Sequence, residues 1–265
     1  MGIRCGISLR HAILPAAPKI VNEGVFYVDW IASEVSRHLG EPKATIPELE
    51  SPESMSRSKQ QFAAMAFAFE AGLGFLAVLA GRGLGFDPLS TLGFDKPASE
   101  LAIVCLWGAV AALPLLIGLV ILDRQPRVLS NFKKKVSSVV LPMFKSLSIV
   151  EITAISTAAG FGEELLFRGL VQSGLQAWLD QPYGWALALV TAALLFGICH
   201  WLNATYAVLA TGVGIYLGGL FLLVDDLAAP IVTHGLYDFV AIIYLTRVSR
   251  WPPDSLTSDD EIEIS

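Results

Sequence analysis

The sequence predicts an all-α polytopic membrane bundle of about six transmembrane helices, on three observations. Of its 265 residues, 54% are hydrophobic and only 16% charged, where a soluble domain carries about 25% charged residues. The apolar residues gather into runs of about 20, the length that crosses a bilayer. The basic residues cluster between those runs instead of inside them.

The elements follow in order. Residues 1–60 are mixed and polar, and "VFYVDWIASEV" (25–35) reads as a short interfacial helix. "SPESMSRSKQQ" then reads as a flexible lead into the membrane. Candidate spans cover 61–80 and 101–122, separated by a loop whose echo "LGFDPLSTLGFDKP" carries the Gly, Pro and Asp of turns. A third apolar helix runs from near Ser146 to about Trp178. That is too long for one straight span, so a tilt or a kink near Gly160 and Gly162 is expected. Further spans cover 185–201, 206–224 and 228–245, and an acidic tail closes the chain at 251–265. The membrane-embedded domain is therefore 61–250.

Charge distribution sets the expected orientation. Arg57 and Lys59 precede the first span, six basic residues from Arg124 to Lys145 follow the second, and Arg247 and Arg250 follow the last. Six spans put all three groups on one side, the cytoplasmic side, together with both termini. The net charge of −6 owes much to the tail "DDEIEIS". No basic patch interleaved with aromatics is present, which argues against a nucleic-acid partner. Charges interrupt any apolar run near the start, so no secretory leader is expected. Cys5, Cys105 and Cys199 have no metal-type spacing and read as buried, reduced thiols.

Inside the spans stand Glu70, Glu151, Glu163, Glu164, Arg168, His200, His234 and Asp238. A charge at a span's centre costs about 2.5–3.5 kcal/mol, and a leucine or phenylalanine returns roughly 0.3–0.6. Three charges on the third helix thus offset most of the gain from about 18 apolar residues. Such residues persist when paired or facing a watery cavity, and mark function by default. Glu164 and Arg168 are four apart and share a helix face. Glu163 points about 100° away and has no partner on its own helix. Phe196 and His200 repeat the spacing on the next helix, and His234 and Asp238 do so on the last. Each pair also has a plain structural reading as a helix-stabilising pair, an interfacial histidine or an interhelical hydrogen bond. Glu70, alone in the first span, reads as interhelical glue, and Glu151 as a residue near the headgroups.

Taken together, "EELLFR" (163–168), "FGICH" (196–200) and "HGLYD" (234–238) fit EExxxR, FxxxH and Hxxx(N/D). The match resembles the CPBP family of CAAX-type prenyl endopeptidases and bacteriocin-processing or immunity proteins, over roughly 147–245. The resemblance implies an intramembrane endopeptidase with its cavity between the last four helices. Glu163 would be the catalytic base and His200 would hold and polarise the water. His234 and Asp238 would stand where the oxyanion is stabilised. Glu164, Arg168 and Phe196 would support the site. The substrate would be a peptide or protein segment with a hydrophobic or lipidated C-terminus. The protein would sit among membrane lipids, in a bacterial cytoplasmic membrane.

The prenyl endopeptidases commonly carry asparagine where this chain has Asp238, so prenyl specificity does not follow. An ionised aspartate accepts but cannot donate, and it serves by orienting His234 unless it is protonated. Metal-free chemistry is the expectation. Its rival is a zinc site on Glu163, His200 and His234, whose ligand count suits a catalytic zinc, although no HExxH is present. Two other classes remain: a non-proteolytic scaffold or immunity protein, and a proton-coupled transporter. A transporter predicts an internal repeat of the spans, and none is found.

Overall fold

A computed structural model describes residues 52–125, 129–179 and 182–249. The segment 25–35, Cys5 and the tail 251–265 lie outside them. The fold is all-α, with no strand among the described residues. Its helices are α1 (Pro52–Gly83), α2 (Ala98–Asp123), α3 (Ser130–Lys145), α4 (Ile149–Leu179), α5 (Gly184–Cys199), α6 (Ala204–Val224) and α7 (Ala228–Arg247).

Helix α4 is the axis of the bundle. Its first half packs on α1 and α7, and its second half on α1 and α5, while α5 pairs with α6 and α7 with α2. Ile152, Ile155 and Leu147 bury against Ala63 of α1 and against Phe239, Ile242 and Ile243 of α7. Leu165 joins Ala77, Phe221 and Leu227 in a second core. Outward faces carry Phe69 and Phe75 on α1 and Leu106 and Trp107 on α2, all exposed. An apolar exterior of this kind belongs in lipid. The protein is an integral membrane protein.

Several expectations change in detail. Within the lead "SPESMSRSKQQ", α1 already begins at Pro52. Proline suits a first helical turn, and the polar helix formers after it carry the helix past its apolar part. The basic stretch that follows the second span contains α3. Among the described residues, four helices are long and apolar enough to cross a membrane, or up to five if α3 and α4 form one broken span. The sequence count of six included α4, whose charges dilute its apolar run, and α5, which has only 16 residues. The sharp bend of 117° falls between α3 and α4, not at Gly160 or Gly162, where the α-helix continues to Glu164. Beyond it, Leu165–Gln172 winds as a π-helix. The two glycines serve close approach. A Cβ on Gly160 would press on the backbone of Gly235 and Ile231 in α7, and one on Gly162 would overlap the Glu70 carbonyl in α1.

Glu151 closes a capping box at the start of α4, accepting from the Ser148 N–H at 2.7 Å while its own N–H donates to Ser148 Oγ at 3.2 Å. It is therefore remote from any chemistry. Cys105 and Cys199 are unpaired thiols, but Cys105 is half-buried and Cys199 exposed. The expectation of burial fails: Cys105 lines an apolar cavity between α2, α4 and α7, and Cys199 is the last residue of the short α5.

Candidate active site

Glu163 and Glu164 sit side by side at the end of the regular part of α4, and the turn between them aims them at different neighbours. Glu164 Oε1 accepts from Arg168 Nη1 at 2.7 Å and from His234 Nδ1 at 2.8 Å. Arg168 Nη2 donates to the Gly214 carbonyl of α6 at 2.8 Å, and Gln172 Nε2 donates to the Gly218 carbonyl at 3.2 Å. Glu164, Arg168 and Gln172 are fully buried. They form a ladder every fourth residue that ties α4 to α6 and, through His234, to α7. The pair is held at this depth by the bonds from His234 and to the Gly214 carbonyl, while Glu164 Oε2 and Arg168 Nε have no hydrogen-bond partner.

Glu163 is the other case. No protein donor reaches its buried Oε2. His200 Nε2 stands 3.7 Å from that oxygen and His234 Nε2 stands 4.0 Å from it. Both distances exceed a hydrogen bond and fall where a bridging water belongs. His234 Nε2 also faces Asp238 Oδ2 at 3.5 Å.

The ring orientations are fixed from behind. His200 Nδ1 lies 2.8 Å from the Phe196 carbonyl, which can only accept, so Nδ1 carries the hydrogen and the neutral ring offers a lone pair at Nε2. Phe196 also stacks on the His200 ring at 4.3 Å and meets the His234 ring edge-on at 5.9 Å. The Arg168 guanidinium lies over the same phenyl, 4.9 Å from its centroid. By the same reasoning His234 donates its Nδ1 hydrogen to Glu164. Its Nε2 then carries a hydrogen only when the ring is an imidazolium. The residue that orients His234 through Nδ1 is thus Glu164, while Asp238 stands at the other nitrogen. Next in the chain, Thr233 Oγ1 donates to the Gly108 carbonyl of α2 at 2.8 Å, which pins α7 at this level.

Every residue proposed from the sequence is in this cluster: Glu163, Glu164, Arg168, Phe196, His200, His234 and Asp238. The spans expected at 185–201 and 228–245 run in the same direction, with His200 near the end of one and His234 nearer the start of the other. His200 follows the last residue of α5, Cys199, and the two imidazoles nonetheless meet at one Glu163 oxygen.

Two further groups stand beside the cluster. Gln172, missed in the sequence, lies on the face of Glu164 and Arg168, a signal present in the spacing. Glu70 reaches across from α1, and its carboxyl is within hydrogen-bonding reach of Glu163. The contact joins two helices, in keeping with the interhelical reading of Glu70, but no pattern inside α1 marks its partner.

Among the described residues, no three His, Cys, Asp or Glu side chains gather at the spacing of a metal's ligands. An apolar cavity lined by Phe94, Leu101, Phe161 and Val232, among others, lies between α2, α4 and α7 and includes none of the cluster.

Comparison with known families places a match on this same part of the chain. The family model described as "Type II CAAX prenyl endopeptidase Rce1-like" matches residues 145–240. That stretch contains all three motifs and agrees with the resemblance read from them. No curated protein and no solved structure matches the chain.

Proposed function

We propose that the chain is a CAAX-protease-like intramembrane endopeptidase in which Glu163 and His200 activate a water molecule. The observation that carries this reading is the placing of two imidazole nitrogens 3.7 and 4.0 Å from one buried carboxylate oxygen. The family match over 145–240 supports the reaction class.

A water between Glu163 and His200 donates one hydrogen to each acceptor, which turns its lone pair toward a substrate carbonyl. As the oxygen–carbon bond forms, one water proton passes to Glu163 and the carbonyl π pair moves onto oxygen. His234, as imidazolium, donates from Nε2 to that oxyanion, with its ring fixed by Glu164 and its charge faced by Asp238. The carbon–nitrogen bond then breaks, and Glu163 hands its proton to the leaving amine. The remaining hydroxyl proton is lost as the product carboxylate forms. No step requires a metal, and cleavage is expected to survive chelation.

The substrate is a membrane-proximal peptide whose C-terminus is hydrophobic or lipidated. The decisive experiment uses the full chain in detergent with a fluorogenic peptide, offered with and without an S-prenyl group. Glu163→Gln should abolish cleavage without unfolding the protein. Cleavage by Glu163→Gln at the parent's rate overturns the reading. Loss of activity on removing a stoichiometric zinc would replace it with the metal version.

A further inference from the structure

We infer that Glu70 of α1 is the hydrogen-bond donor that holds the Glu163 carboxylate in position, which makes it a positioning residue for the reaction. The inference rests on the peptidase reading of Glu163. Its observations, however, come from a helix that none of the three motifs touches.

The backbones of α1 and α4 meet at this point. A Cβ on Gly162 would collide with the Glu70 carbonyl, so the residue next to Gly162, Glu163, has α1 beside it. The Glu70 side chain extends to within hydrogen-bonding reach of the Glu163 carboxyl. It is the only ionisable residue between Lys59 and Arg82, in a span that otherwise offers lipid nothing but apolar side chains. An ionised carboxylate there is costly, whereas a neutral acid is tolerated far better.

The hydrogen-bond accounting points the same way. Glu70 Oε2 and Glu163 Oε2 are both buried without a protein donor. Two carboxyls sharing a site do not both ionise, and a proton on one supplies the donor that the pair lacks. The surroundings decide which one holds it. His200 and His234 face the Glu163 oxygen, and Asp238, Glu164, Arg168, Tyr206 and Glu70 are near enough for their charges to act with its own. Facing Glu70 are Glu163, Asp238 and His234. Both imidazoles stand at the Glu163 oxygen, and a positive His234 ring there favours the charge on Glu163, so the inference puts the proton on Glu70. Glu70 is the acid, and its O–H donates. Its proton is not consumed. The water proton that Glu163 takes up and releases to the amine leaves the Glu70 hydrogen where it was.

The test compares Glu70→Leu, Glu70→Gln and Glu163→Gln in the full chain. Leucine fills similar space without a donor, and glutamine restores one as N–H. Glu70→Leu should lower kcat about 10–100-fold, the range for a lost hydrogen bond to a charged group, with KM little changed. Glu70→Gln should recover most of that loss. A Glu70→Leu variant with the parent's kcat, or Glu70→Gln impaired as severely as leucine, overturns the inference.

A second readout needs neither turnover nor the leucine variant. The infrared carbonyl stretch of a protonated carboxyl should be present in the parent, retained in Glu163→Gln and lost in Glu70→Gln. Its presence in Glu70→Gln at full strength would show that Glu70 holds no proton, even if Glu70→Leu does not fold. The two readings fail separately. Cleavage that persists in Glu163→Gln removes the peptidase reading, while the infrared band still decides the state of Glu70.

Discussion

The two faces of α4 treat the same residue type in opposite ways. Toward α6 and α7, Glu164 shares one oxygen between a guanidinium and an imidazole, and Arg168 and Gln172 extend the ladder to two backbone carbonyls. Toward α1, Glu163 has neighbours but no protein donor at its buried oxygen. Glu164 is tied to two other side chains through its Oε1, whereas no protein donor reaches the buried Glu163 Oε2. On the proposed reading, that difference and not burial separates the base from its chain neighbour.

This contrast makes the two glutamates separable by experiment. The largest effect is expected at the open face. Glu163→Gln should reduce peptide cleavage by about 10²–10⁴-fold, the contribution of a positioned base, and leave the melting temperature unchanged. A melting temperature lowered as far as by substitution of Glu164 would erase the distinction between the faces.

At the tied face, Arg168→Met strands a buried carboxylate and should cost about 3–5 kcal/mol of stability. Adding Glu164→Gln should return part of that loss, because the two residues are one interaction and their effects do not add. Denaturant titration of both variants and of the double variant measures the coupling, and strict additivity would show the ladder to be two independent contacts. Smaller again is Gly162→Ala. Its methyl meets the α1 backbone, where nothing flexible can yield, and overpacking of this kind costs about 1–3 kcal/mol. Activity should fall further than stability, since α1 carries Glu70.

The smallest effect lies away from both faces. Lys96 Nζ donates to the buried Asp226 Oδ2 at 2.7 Å, and this bond holds the ammonium's pKa above its ordinary value. A base with a raised folded pKa adds stability that is complete below the unfolded pKa and lost as pH climbs through the folded one. The melting difference between the parent and Lys96→Met should thus be level through neutral and mildly alkaline pH and shrink only beyond the lysine range. A difference already gone in mild alkali would show that the pair contributes nothing.

Much of this was legible in the sequence, for physical reasons. Apolar runs must be helices in lipid, because each backbone group has to find its partner within the segment. A three-residue or four-residue interval fixes which side chains share a face, so Glu164 with Arg168, Phe196 with His200 and His234 with Asp238 could be paired without coordinates. Glu163 could be set apart as unpaired on the same ground. What could not be read was contact between helices. Glu70 lies 93 positions before Glu163, and no period inside α1 points to its partner. Glycine is ambiguous for a related reason. Gly160 and Gly162 permit either a kink or a close approach, and only the neighbouring backbones decide between them. The role of Glu164 behind His234 was hidden likewise, since the spacing offered Asp238 first. The start of α1 was missed because polar helix formers outside the hydrocarbon carry no apolar signal.

The shortness of α5 has one more consequence. Its 16 residues rise about 24 Å, against roughly 30 Å of hydrocarbon. The bilayer beside such a helix thins, or headgroups and solvent dip to meet its end. That end is where the chain places His200, whose side chain is 26% exposed. On the proposed reading, hydrolysis inside a membrane needs a supply of water, and a deficit of helix at α5 would bring the aqueous boundary toward that imidazole.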